Sequence, residues 1–328
     1  MERFALAAAV VLGFALTAAL CSLFVPLRRV LERREQNQQP VQPEQPRPAP
    51  LRAPLWGGLC AAAGAVGVGW LAACVGQPEL LGSEGRLMTR LLTALAGSLA
   101  FGAVGLAEDL ARMRSPAALG LRRDVRLLLE ALAAAFVLLL LQAAGCLPRG
   151  LDVPGAGYVL LGSAVPFLWA VLMVALAECA RIAERDEGTV CGAAFVAMLA
   201  LMMAEAGLGV PGLAVLPAAL AGALVALLLW AFPPARLGVG CCGSLLAAGA
   251  IGCIPLSLDM TSLTVPLALP FWAAGGLLAA QLLGAKRTGK PLRCWVKKHK
   301  MSPETVFLCS FALSAVGYVL ALALLRWC

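Results

Sequence analysis

The 328-residue chain is 61% hydrophobic and only 13% charged, with a formal net charge of +8. Soluble domains are roughly half apolar and a quarter charged, so this composition excludes a water-soluble fold and leaves no room for a separate soluble catalytic domain. The excess of cations suits anionic lipid headgroups and phosphorylated ligands and makes no independent case for nucleic acid.

Apolar runs near the roughly 20 residues that cross a bilayer recur along the chain. They lie at 4–26, 55–75, 88–107, 125–144, 156–177, 189–207, 211–232, 239–256, 263–284 and 304–325. They predict an all-α integral membrane protein of ten transmembrane helices, one domain over residues 1–328. The first run lacks a basic leader and an A-x-A-like cleavage site and is long enough to cross, so it reads as a retained helix. After it, within 27–54, comes REQNQQPVQPEQPRPAP, a Gln/Pro-rich stretch that cannot bury a core and reads as a flexible arm. In RAPLWGGL, Pro54 marks a turn, and Gly57 with Gly58 allows close approach of a second backbone or of a ligand.

The third run ends in GLAEDLARM, which places Glu108, Asp109 and Arg112 together. An acidic pair there is either a reaction centre at the membrane surface or a solvated helix end. In GLRRDVRLLLE, Arg126 and Glu130 stand four apart on one helical face, as a snorkelling Arg in a simple ion pair or as one wall of a cleft. AECARIAERDEG spaces Glu178, Arg181, Glu184 and Glu187 three apart, which keeps them near one face, again as a cleft wall or an ordinary amphipathic turn.

Cys21, Cys60, Cys74, Cys191, Cys253 and Cys309 lie inside apolar runs, where a thiol behaves as a small hydrophobe, so no disulfide framework is expected. The adjacent Cys241 and Cys242 lack the His or second Cys pair that a zinc site needs. The ninth connection, LLGAKRTGKPLRCWVKKHK, is strongly basic and holds the one histidine, His299. Twenty-one of the 26 Lys and Arg residues fall in the odd-numbered connections. Cationic loops stay on the cytoplasmic side, so those connections are cytoplasmic and both termini external.

In order and spacing, these stretches resemble the polyprenyl-phosphate N-acetylhexosamine-1-phosphate transferases, the glycosyltransferase 4 type, and within them the phospho-N-acetylmuramoyl-pentapeptide transferase (MraY) branch. The family's TPTMGG is similar to Ala53 to Gly58, its DDxxK to Glu108 to Arg112, and its GL followed by KxxxQ to Gly120-Leu121 followed by Arg126 to Glu130. Its NxxNxxDGxDG lies over Glu178 to Gly188, its GDTGSL over Gly240 to Leu245, and its last cytoplasmic loop over the stretch containing His299.

The resemblance implies ten helices in a multi-pass plasma-membrane protein, with both ends outside and a cytoplasmic cleft. It implies a reaction of a UDP-sugar with polyprenyl phosphate, giving a polyprenyl-diphospho-sugar and UMP for cell-wall or polysaccharide synthesis, with Mg2+ as cofactor; a homodimer is compatible with it. Carried over by position, Asp109 is the catalytic base with Glu108 beside it as the second catalytic residue, and Arg112 and Arg126 hold phosphate. Glu184, Glu187, Arg181 and His299 lie on the cofactor or nucleotide, and Cys241 stands where the family has its magnesium ligand. A thiol is a poor partner for magnesium, and Lys to Arg, Asp to Glu and Asn to Glu or Arg alter the other positions. The expectation is therefore a degenerate member with reduced or lost catalysis that still binds a lipid phosphate or a partner. The alternatives are a working transferase and, with less support, a transporter for which Glu205 is the nearest intramembrane acid.

Overall fold

The computed structural model describes residues 2–38, 58, 61, 64, 86–114, 120–148, 150–153, 157–160, 162, 164–184, 188–209, 212–232, 235, 237–283 and 302–325. Helix α1 is Glu2–Gln38, α2 Arg86–Arg114 and α3 Arg123–Ala143. A two-stranded antiparallel hairpin, β1 Gly150–Val153 and β2 Gly157–Leu160, leads to α4 Ala164–Ala183, α5 Thr189–Gly207 and α6 Val215–Ala231. Helix α7 is Gly240–Ser257, followed by a single 3₁₀ turn, Thr261–Leu263, the short α8 Thr264–Leu267, α9 Leu269–Leu283 and α10 Pro303–Leu325.

Among the described residues, six helices are long and apolar enough to cross a membrane: Leu6–Leu23, Met88–Arg114, Ala164–Ala183, Thr189–Gly207, Gly240–Ser257 and Pro303–Leu325. The protein is a mostly helical, multi-pass membrane protein. Helices α5, α7 and α10 begin and end within a residue of the runs expected at 189–207, 239–256 and 304–325. The run expected at 55–75 lies almost wholly outside the described residues, of which Gly58, Ala61 and Gly64 are helical.

Three elements depart from the sequence reading. First, α1 continues to Gln38 through part of the segment read as a flexible arm; its Arg, Glu and Gln residues are good helix formers. Second, the fold is not purely helical, because the residues expected to open a span at 156 form β2 instead. Gly157 takes a φ of 73°, open to glycine and disfavoured for other residues, and so turns the chain into a hairpin before α4 begins. Third, the run at 263–284 is broken into α8 and α9, with Pro266 inside the first and Pro270 in the opening turn of the second, where a missing N–H is tolerated.

Helix α7 is the axis of the bundle, and every one of its residues is buried. Its sequence GCCGSLLAAGAIGCIPLS is mostly small, and α2, α4 and α5 pack against it, while α1 packs on α6 and α10 on α5. Small residues let neighbouring backbones approach closely, the means by which helices associate where lipid is as apolar as the side chains.

Candidate functional site

The start of α7 is where the backbones come closest. Gly240 opens the helix at a φ of 73°. A Cβ on Gly105 of α2 would lie 2.2 Å from the Cys241 carbonyl oxygen, and one on Gly58 would lie 2.0 Å from the Gly243 nitrogen. The Gly58 amide donates to the Val239 carbonyl at 2.9 Å. Glycine at 58 and 105 is therefore a steric requirement of this junction.

This approach sets Asp109 against the end of α7. The first amides of a helix have no acceptor within it and carry the positive end of its dipole. Here the Cys241 amide donates to Asp109 Oδ1 at 3.1 Å and the Cys242 amide to Oδ2 at 2.9 Å. The Asp109 carboxylate, 1% exposed, thus caps α7 from a neighbouring helix. Ser244 closes the same turn by donating to the Cys241 carbonyl at 3.1 Å.

Beside this cap three helices contribute alternating charges. On α2, Arg112 donates to Glu108 Oε1 at 2.7 Å and lies 4.0 Å from Asp109 Oδ1. Arg126, near the start of α3, donates through Nε to Glu178 Oε1 of α4 at 2.8 Å. Its Nε lies 3.9 Å from Glu130 Oε1 and its NH1 3.7 Å from Glu108 Oε1. Arg181 donates to the other oxygen of Glu178. Glu108, Asp109, Arg126 and Glu130 are buried, whereas the Arg112 side chain keeps 25% of its surface open.

The structure therefore gathers Glu108, Asp109, Arg112, Arg126, Arg181 and Cys241 into one neighbourhood, with Glu184 within electrostatic reach of Asp109, Arg112 and Cys241. Glu187 and His299 lie outside the described residues. Glu205, the acid considered for transport, is buried at the opposite end of α5 from Glu184. Two features were not read from the sequence. Glu178 forms the closest ion pair of Arg126, across 52 residues of chain, and Asp109 is engaged by α7 on both oxygens. No local pattern signals either, because both depend on which helices the fold brings together.

A chain of apolar membrane helices with this cluster between its second, third and fourth helices matches a known family. The model for glycosyl transferase family 4 matches residues 91–259, just over half of the chain and a span that runs from α2 to the end of α7. The protein belongs to that family. It is 30% identical over 212 residues to a phospho-N-acetylmuramoyl-pentapeptide-transferase of Synechococcus sp. (strain RCC307), covering 64% of this chain and 55% of that protein. It is 32% identical over 170 residues to the one from Desulforudis audaxviator (strain MP104C), covering 49% and 50%. With the one from Mycobacterium tuberculosis (strain ATCC 25618 / H37Rv) it shares 27% identity over 266 residues, covering 72% of each. The chain thus spans about half the length of the first two relatives.

Among the described residues, the donors at this cluster do not fit magnesium, the ion that the resemblance implies. Among the described residues no three His, Cys, Asp or Glu side chains converge as a metal site. Both Asp109 oxygens face amides, Glu108 Oε1 and both Glu178 oxygens face guanidinium groups, and residue 241 offers a soft sulfur where a hard cation needs oxygen.

Proposed function

We propose that this chain is a membrane protein of phosphoglycosyl-transferase type whose transfer chemistry is much reduced or lost and whose retained activity is to hold a polyprenyl phosphate. The parent reaction joins a lipid-phosphate oxygen to the β-phosphorus of a UDP-sugar and breaks the bond to the bridging oxygen, releasing UMP. Its rate rests on charge neutralisation at the phosphates, and the loss of one such group costs about 10²- to 10³-fold. The observation that carries this reading is the engagement of Asp109. The aspartate that remains of the family's acidic pair has both oxygens on the amides of α7, beside a cysteine at the magnesium-ligand position.

Within the described cluster, Arg112, paired with Glu108 but with a quarter of its side chain open, is the cation offered to the lipid phosphate, helped by the basic residues of the ninth connection. The ten-span arrangement, both termini outside and a cluster facing the cytoplasm of the cell belong to this reading, on the strength of the charge distribution.

Purified protein in lipid nanodiscs, given Mg2+, polyprenyl phosphate and either UDP-MurNAc-pentapeptide or UDP-GlcNAc, should release little or no UMP. Cys241→Asp should raise that release slightly, and Arg112→Ala should weaken lipid-phosphate binding in a salt-dependent way. Robust turnover by the unmodified protein that Asp109→Asn abolishes would establish a working transferase and reject the proposal.

A further inference from the structure

Arg126 is surrounded by acid. Three carboxylates from three helices, Glu108 of α2, Glu130 of α3 and Glu178 of α4, each place an oxygen within 4 Å of its guanidinium, at 3.7, 3.9 and 2.8 Å. Glu130 is 0% exposed and neither of its oxygens accepts a hydrogen bond, and Glu108 Oε2 is likewise buried without a donor. Arg112 and Arg181 each serve one flank, on Glu108 and Glu178 respectively. Carboxylates buried this close repel one another unless a cation stands among them or one of them takes up a proton, and a buried charge without compensation is strongly destabilising.

We infer that Arg126 is a built-in counter-cation, its guanidinium giving Glu108, Glu130 and Glu178 the compensation that a divalent ion would otherwise supply, so that the cluster is complete without metal. A guanidinium suits this place because it is always charged, weakly hydrated and able to present several donors in one plane. A divalent ion and the Arg126 side chain would compete for the same space and the same oxygens. The cluster therefore ties α2, α3 and α4 together through organic charge. This goes beyond the functional reading, since it concerns what holds α2, α3 and α4 together and not whether the site binds a lipid phosphate.

The test is thermal unfolding of the full chain in nanodiscs of zwitterionic lipid, with EDTA or with millimolar Mg2+ or Ca2+. Wild-type protein is expected to show the same midpoint in all three conditions. Arg126→Met, which keeps the bulk and removes the charge, should unfold about 5–10 °C lower in EDTA and regain at least half of that loss with either ion. Titration calorimetry should then detect divalent binding to the variant and none to the wild type. Arg126→Met combined with Glu130→Gln should recover the midpoint without any ion. The inference is overturned if wild type gains as much from divalent ions as the variant does, or if Arg126→Met unfolds within about 2 °C of wild type in EDTA. Should Arg126→Met not accumulate, the same change with Glu130→Gln and Glu178→Gln must restore accumulation; failure of that combination also overturns it, because the acids that need the cation are then gone.

Discussion

Helices α7 and α10 are both apolar enough to cross a bilayer, yet every residue of α7 is buried while 17% of the α10 span is. Hydrophobicity does not separate them. Side-chain size does: α7 is built from Gly, Ala, Cys and Ser with a few Leu and Ile, whereas α10 carries Phe, Leu, Val and Tyr along most of its length. In lipid there is no solvent penalty for leaving Leu308, Val316 or Val319 outside, and they are exposed. What decides position is how closely another backbone can approach, and that closeness both places α7 at the axis and brings its amides to Asp109.

The strongest way to break this comparison is to enlarge a residue where α7 meets its neighbour. The nearest atoms to a Cβ at Gly105 are the carbonyl oxygen and carbon of Cys241 and the Cys242 nitrogen, at 2.2, 2.5 and 2.7 Å, all backbone. No side-chain rotation relieves such a clash. Gly105→Val is therefore expected to exceed the upper end of ordinary overpacking, about 3 kcal/mol, and to abolish accumulation of folded protein, as read by size-exclusion profiles in mild detergent. A normal profile would mean that α2 and α7 are not held this close.

Asp109→Ala comes next. It removes the acceptor of two buried amides, each worth about 1–3 kcal/mol when left unpaired, so the folded state should lose roughly 2–6 kcal/mol. The α7 start should also loosen, and maleimide labelling of Cys241 and Cys242, both buried in the folded protein, should accelerate. Asp109→Asn retains an acceptor but turns an amide toward a donor, and should fall between alanine and wild type. Unchanged labelling in Asp109→Ala would show that the carboxylate does not hold α7.

These two sites also mark how far the sequence could be read. Length and apolarity set the bounds of α5, α7 and α10, because a bilayer demands both of any spanning helix. The common location of Glu108, Asp109, Arg126, Arg181 and Cys241 was legible as well, through motif order. What escaped was whatever depends on tertiary distance. Arg126 and Glu130, four apart, read as a pair, yet the closer partner of Arg126 is Glu178 on another helix, and no local spacing encodes that choice. Asp109 read as a base for catalysis, because nothing in GLAEDLARM tells which backbone will arrive beside it. The hairpin was lost to the same apolarity that revealed the helices, since Tyr158, Val159 and Leu160 suit a strand as well as a span.

A smaller effect tests the one face of α10 that behaves like α7. Gly317 is buried, and a Cβ there would lie 2.2 Å from the Pro266 carbonyl oxygen at α8. Gly317→Ala forces α10 away from α8 but not from α5, so part of the contact survives. A loss of about 1–2 kcal/mol is expected in reversible unfolding in bicelles. If the substitution stabilises the protein, the helix-propensity gain outweighs the contact and the close approach to α8 is not a constraint.

Two residues further along the same helix the expected effect nearly vanishes. Val319 is 62% exposed. Its methyl groups face lipid in the assembled protein and would still face lipid if α10 separated from the bundle, so no apolar surface changes its surroundings. Val319→Ala should therefore shift stability by less than about 0.5 kcal/mol, the range of substitutions that touch nothing. Measured beside Gly317→Ala, it asks whether size at the contact or apolarity along the helix holds α10 in place. A loss at Val319 equal to that at Gly317 would mean that this face is covered, by a second copy or another protein, and that α10 is a contact helix on both sides as α7 is.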